Sequence, residues 1–478
     1  MSARSSSMKI LALLIIVIVV AAVGAYVYLN RPSGPSGTTT TTTGTQLILR
    51  VITRHDSSIT NVAHDKFMAS DIAKRFGITD IIFVNVPADL WRDSINGYQA
   101  RGQPIDVAWG GGPTLFDELI ASGQAAPITS AETLQVVSQI SDSIGGAPMK
   151  RYSSDGKIVW VAAAISSFGF IINNPILQQY SLPEPHTWED LANVQMAKTL
   201  PRPAVSYASP SLSTSHTRIY EIILQKFGWD QGWSILARLA ANGRSYPGSV
   251  EALTAVQSGE TPIGIAIDFY GYSSELQFPQ TKYVLPFNES IVNGDPIALV
   301  KTTAHPDAAQ SFIEWVLSPD GQKVWLAPSI SRLPVDPAVF RTPEGMARKD
   351  LYNDFNKTLK NIGIPFDDSL ALKYEYAMRI YFDAVFGDLH DELVSTWSKL
   401  ASAYNAGKLK QADFDRLASE LGKPLSWQSG SSTTTFTQDY AASINESLKN
   451  SATASQFAQL WRNAARDRYQ AIVNQVPP

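Results

Sequence analysis

Two short stretches of the chain gather polar groups where a small molecule could be held. Arg54-His55-Asp56-Ser57-Ser58 puts a guanidinium, an imidazole, a carboxylate and two hydroxyls into one loop, more than a turn needs. Arg54 would take an anion; equally, Ser57 or Ser58 could cap the next helix and Asp56 could neutralise Arg54. The second stretch is Trp109-Gly110-Gly111-Gly112-Pro113. Glycines admit a ligand close to the backbone, proline suits a first helical turn, and free N–H groups at a helix start donate to ligand oxygens. Trp109 would form a flat wall, or would pack in the core while the glycines only turn the chain. No Gly-Lys-Ser/Thr follows, so this is not a nucleotide phosphate loop.

Three further groups are candidates. Ser166 and Ser167 lie between two apolar runs. Ser211 and Ser213, in a serine-rich segment before His216, would be a polar wall or a cap and loop. Asp268 with Tyr270 and Tyr272 suits a cation through charge and ring faces, unless the tyrosines simply pack under a loop.

Catalytic patterns are weak. The histidines at 55, 64, 186, 216, 305 and 390 never show the His-x-x-x-His spacing of a helical metal site, and no Gly-x-Ser-x-Gly elbow occurs. Zero cysteines remove thiol catalysis, disulfides, zinc–thiolate sites and iron–sulfur clusters. No catalytic residue, metal or cofactor is therefore assigned. A formal charge of −4 argues against nucleic acid as a partner.

The elements that must position these groups are legible from periodicity. Strands are predicted at 46–53, 81–86 and 105–109, with helices at 61–76 and 90–101 between them. This βαβαβ order implies a parallel sheet with ligands at the carboxyl ends of its strands. Apolar runs follow at 158–165 and 168–173, and strands at 262–267, 282–285 and 296–301. Helices are predicted at 216–227 and 229–242, then at 374–386, 391–404 and 411–421. A Ser/Thr-rich break at 426–437 precedes a last helix at 439–473.

Residues 10–29 carry no charge and as a helix would be about 30 Å long, enough to span a bilayer. Val23-Gly24-Ala25 resembles a cleavage site, so the segment is an anchor or a signal peptide. Six threonines, 38–43, belong to a stalk without an apolar face. Either way the remainder is exported, to the extracellular face of the cell membrane. Asn288, Asn356 and Asn445 begin glycosylation triplets.

Several motifs together resemble the extracellular solute-binding proteins of family 1, the receptors of ABC importers. They are Asp106-Val107-Ala108-Trp109-Gly110-Gly111-Gly112-Pro113, Phe168-Gly169-Phe170-Ile171-Ile172-Asn173-Asn174-Pro175, Pro185-His186-Thr187-Trp188-Glu189-Asp190-Leu191, and Ala304-His305-Pro306-Asp307 with Leu317-Ser318-Pro319-Asp320-Gly321-Gln322. The nearest flavour is the ferric-ion, thiamine, polyamine and phosphonate branch. Its ferric-binding members use adjacent tyrosines near Asp268, whereas here the spacing is Tyr-Gly-Tyr.

The resemblance implies an α/β, two-lobe periplasmic-binding-protein-like fold with hinge strands, to which the residue patterns add an N-terminal transmembrane helix and C-terminal helices. The divisions would be an anchor or signal at 1–30, a stalk at 31–45, lobe 1 at 46–167, lobe 2 at 168–295, and a return to lobe 1 with a C-terminal helical region at 296–478. It further implies a monomer that captures a small polar or charged solute and delivers it to permease subunits in the membrane. The alternatives are a surface hydrolase on the same scaffold and an anchored sensory or structural ectodomain.

Overall fold

A computed structural model describes residues 46–361, 363–430 and 432–477. The predicted anchor and stalk lie outside these residues. Among the described residues no helix is long and apolar enough to cross a membrane.

The strands that matter for the site are β1 (Leu47–Thr53), β2 (Ile78–Asn85), β3 (Val107–Trp109), β4 (Ile158–Ser166), β5 (Phe168–Asn173), β6 (Val205–Ala208), β7 (Gly243–Tyr246), β8 (Ile263–Ile267), β9 (Thr281–Val284), β10 (Asn293–Val300) and β11 (Leu333–Pro334). The helices are α1 (Ser57–Ala69), α2 (Pro113–Ala121), α3 (Thr214–Phe227), α4 (Trp229–Ala241), α5 (Asp268–Gln277), α6 (Pro306–Leu317), α7 (Lys349–Lys360), α8 (Asp368–Phe382), α9 (His390–Asn405), α10 (Gln411–Glu420) and α11 (Ser451–Val473).

The first sheet runs β11-β4-β10-β3-β1-β2. β1 lies parallel between β2 and β3, with Val51 opposite Phe83 and Val107. Helices cover its faces, so its central strands read as continuous apolar runs. The second sheet runs β7-β6-β8-β5-β9. Each sheet has its own core. Val51, Trp109, Phe312 and Trp325 belong to the first, and Phe170, Tyr207, Ile222 and Trp233 to the second.

The helix expected at 61–76 is α1 followed by a short helix, Asp71–Arg75. Ser70 ends the first with extended backbone, and its Oγ accepts from Ala73 N at 3.1 Å to cap the second. The last expected helix is likewise broken, by Asn450, which caps α11. The Ser/Thr-rich break is a hairpin that pairs Trp427 with Thr434.

Among the described residues the chain crosses between the lobes three times. The first crossing is Ser166-Ser167-Phe168, and the second joins β9 to β10. A third, absent from the sequence reading, joins α7, whose Leu351 and Phe355 sit in the first core, to α8, whose Tyr374 and Ala377 sit in the second. All three meet at Ser290. Its Oγ accepts from Phe168 N at 3.0 Å, and its carbonyl accepts from Ile364 N at 3.2 Å.

The third crossing changes where the C-terminal chain belongs. Lobe 1 was expected to take everything after 296. Residues 306–355 do return to it, but α8–α11 build onto lobe 2. Tyr381 stacks on Phe436 at 3.8 Å, and both meet Trp461 of α11 and Trp233 of α4. Fully burying one such apolar side chain is worth about 1.5–3 kcal/mol. This layer is therefore integral to lobe 2.

Candidate functional site

A cavity of about 90 Å³ opens between the lobes at the carboxyl ends of β1 and β3. Its walls come from three places. Lobe 1 gives Arg54, His55, Asp56, Gly111 and Gly112; lobe 2 gives Ser211, Ser213, Phe269 and Tyr270; α8 gives Glu375, Tyr376 and Arg379. Tyr270 Oη reaches Asp56 Oδ2 at 3.4 Å and ties the two lobes across the opening.

The hinge side is a self-contained polar network. Asp295, at the start of β10, accepts from Gly111 N at 3.0 Å and lies 3.0 Å from Arg332 Nη2 and 3.4 Å from His55 Nε2. Arg332 is 4% exposed. It also donates to Ser166 Oγ at 3.2 Å and stacks on the Phe269 ring at 4.5 Å. His55 packs edge-on to Trp109 at 4.5 Å. Burial, only partly offset by Asp295, lowers its pKa to about 4, so the imidazole is neutral at pH 7. Gly110 has φ +77°, and a Cβ there would run into this imidazole. Glycine is required at that point.

Two helices aim their N-termini at the cavity from opposite lobes. α2 starts at Pro113 after Gly112, which offers no side-chain cap. α3 starts after Ser213, whose Oγ accepts from His216 N at 3.3 Å. Thr114 and Leu115 of α2, and Thr214 and Ser215 of α3, line the space. The first N–H groups of a helix have no intrahelical acceptor and carry partial positive charge.

The buried guanidinium Nε groups of Arg54, Arg332 and Arg379 have no hydrogen-bond acceptor. Arg54 Nη1 is held by the Val86 carbonyl at 2.9 Å. Burial lowers the Arg54 pKa, and the charge of Arg379 acts in the same direction, so the two guanidiniums sense each other. Beside Arg379, Glu221 is pushed well above the usual carboxylate range by burial, with a contribution from its hydrogen bond to Glu375. Among the described residues, Glu221 Oε1 and Glu375 Oε2 are buried without a hydrogen-bond donor. Arg218 pairs with Asp368 at 2.8 Å and Arg379 with Glu375 at 3.6 Å.

The structure thus brings together Arg54, His55, Asp56, Gly111, Gly112, Ser211, Ser213 and Tyr270 around one space. It puts the other candidates elsewhere. Asp56 Oδ1 caps α1 through Ser58 N at 2.8 Å, and Ser57 faces solvent. Trp109 is 1% exposed, on a strand buried on both faces, and lies beneath His55 rather than along the cavity. Gly110 sits behind the lining, with its N–H on the Pro296 carbonyl at 2.8 Å.

Ser166 holds Arg332, and Ser167 donates to Asp268 from both N, at 2.6 Å, and Oγ, at 3.0 Å. Asp268 is fully buried at this crossing, away from the cavity, and burial raises its pKa to about 7. Tyr272 is buried against Tyr283, with its hydroxyl 3.4 Å from Thr358 Oγ1. A cation held jointly by Asp268, Tyr270 and Tyr272 is not what this arrangement offers, because only Tyr270 reaches the cavity. Among the sequons, Asn288 is exposed and Asn356 half-buried. Asn445 is 5% exposed and uses its amide on Ala377 N and the Leu372 carbonyl, so it is closed to glycosylation in the folded protein.

Sequence reasoning missed Asp295, Arg332 and Arg379. An acid inside an apolar strand could have singled out Asp295, and Glu375 with Arg379 at i,i+4 between apolar neighbours could have singled out the face of α8. Nothing local marks Arg332.

The sequence profile described as bacterial extracellular solute-binding protein matches residues 53–323, more than half of the chain. The chain belongs to this family. The chain is similar to the phosphoglycerate transport regulatory protein PgtC of Salmonella typhimurium, 28% identical over 265 residues, or 55% of this chain and 62% of that protein. The match therefore spans less than two thirds of that relative's length.

Three solved structures share the fold. The GacH receptor of Streptomyces glaucescens has TM-score 0.56 and 12% identity, covering 76% of this chain and 98% of its own. The periplasmic binding protein P5PA has TM-score 0.53 and 16% identity, covering 68% and 95%. The periplasmic binding protein AfuA of Actinobacillus pleuropneumoniae, with bound fructose-6-phosphate, has TM-score 0.52 and 16% identity, covering 65% and 98%. This solute-binding protein is thus a two-lobe α/β member of the family with additional chain of its own.

Proposed function

We propose that this protein is a cell-surface receptor that grips a small anionic solute, a phosphate ester or a carboxylate, between its lobes and passes it to an ABC-type import permease. One observation carries the reading. Buried, acceptor-free Nε–H groups of Arg54 and Arg332 share a cavity with the N-termini of α2 and α3. Guanidinium groups and helix N-termini both favour anions, and buried donors gain most from being satisfied. The relative named for phosphoglycerate transport points the same way.

The lobes open about the three crossings. A solute touching both lobes binds the closed form better and shifts the population towards it. The permease then meets a closed, loaded receptor. The uncharged run at 10–29 would hold the receptor to the membrane and the threonine stalk would tether it, raising its effective concentration at the permease. The receptor would act as a monomer, and Asn288 and Asn356 remain the sequons open to glycosylation.

Native mass spectrometry of protein purified from its source tests the reading. A retained solute bearing phosphate or carboxylate is expected; a neutral sugar or a polyamine would overturn it.

A further inference from the structure

We infer that the C-terminal layer α8–α11 forms a third wall of the solute site and that Arg379 on α8 contacts the bound anion directly. This rests on the receptor reading above. The family profile ends at residue 323, ahead of α7 and α8. The solved relatives are matched over 95–98% of their own length but over only 65–76% of this chain. The layer thus lies outside the stretch that the family profile matches, and its aromatic packing makes it move with lobe 2.

From that position it faces lobe 1 twice. α8 packs on α2 of lobe 1 as well as on α3 of lobe 2. Lys449, just before α11, bridges to Glu118 of α2 at 2.9 Å. Between these contacts Glu375, Tyr376 and Arg379 look into the cavity from successive positions on one helical face.

Arg379 is prepared for a ligand. It is 7% exposed, and Nη2 is anchored to the Ser211 carbonyl at 3.1 Å. Glu375 lies loosely at 3.6 Å, and Nε has no acceptor. Across the same space Arg54 also presents an acceptor-free Nε. Two guanidiniums facing one cavity repel each other, and an anionic group between them relieves the repulsion and satisfies both donors. Of the arginines that line the cavity, Arg54, Arg218 and Arg332 belong to the two-lobe body; the added layer supplies Arg379 together with Glu375 and Tyr376.

The test is titration calorimetry of the full chain with phosphoglycerate and with inorganic phosphate, paired with melting curves. Arg379→Gln is expected to weaken phosphoglycerate binding roughly 10- to 100-fold and to shrink the rise in melting temperature at a fixed ligand concentration, while the unliganded melting temperature stays near that of the wild type. Arg379→Lys keeps the charge but not the forked donors. It is expected to recover part of the loss, which keeps the test decisive should the glutamine variant fold poorly. Wild-type affinity in both Arg379 variants, with binding lost in Arg54→Gln, would overturn this inference and leave the receptor reading standing. A wild-type chain that binds neither phosphoglycerate nor inorganic phosphate would overturn both.

Discussion

Arg332 and Arg379 face the same cavity, but they are held in different ways. Arg332 sits in the hinge-side network, where Asp295, Ser166 and the Phe269 ring fix it, and Asp295 in turn fixes Gly111 and His55. Arg379 sits on the added wall, held by one carbonyl, a loose carboxylate and the Tyr376 ring at 5.2 Å. A charge neutralised inside a network mainly maintains architecture, whereas a charge with few partners is available to a ligand. Substitutions on the hinge side should therefore be read first as stability losses, and those on the added wall first as binding losses.

The largest expected effect tests the hinge side. Arg332→Met leaves Asp295 buried beside a neutral imidazole, and stability should fall by about 3–5 kcal/mol, read from urea denaturation. A loss comparable to that of a surface substitution would break the contrast.

Acid gives the next largest effect. His55 has a folded pKa of about 4 against an ordinary value near 6.5. The unfolded chain thus binds more protons between these values, and stability is lost as pH falls through that window. The loss should approach about 3 kcal/mol, and a His55→Gln variant should show a flatter profile over the same pH range. An equally steep profile in the variant would detach His55 from the network.

Gly110→Ala should cost about 2 kcal/mol, because positive φ strains a side chain and the Cβ strikes His55. On the added wall, Lys449→Met should change stability by less than about 1 kcal/mol, since its bridge to Glu118 is partly exposed. A larger loss there would mean that the layer is an architectural brace, and the contrast would weaken.

What the sequence disclosed follows the range of the physics involved. The βαβαβ order, the crossing strand before Asn173 and the glycine turn before α2 depend on local periodicity and local backbone demands. The loop at Arg54 and the serines before α3 were legible for the same reason: both are strand-to-helix turns. Trp109 was ambiguous because a three-residue strand buried on both faces has no alternation from which to read a side. The hinge network was illegible because His55 and Arg332 meet across 277 residues. The third crossing was hidden too, since nothing in α8's apolar stripe says which lobe it covers. Asn445 shows the same limit: its triplet reads as a surface sequon, and only packing against α8 buries it.

The most direct measurement is calorimetry of the full chain with phosphoglycerate and with glycerol, its uncharged backbone analogue. The account predicts saturable binding of the phosphate ester, weakening as salt rises, and no detectable binding of glycerol. Equal affinity for the two, or binding of the uncharged molecule alone, would contradict it.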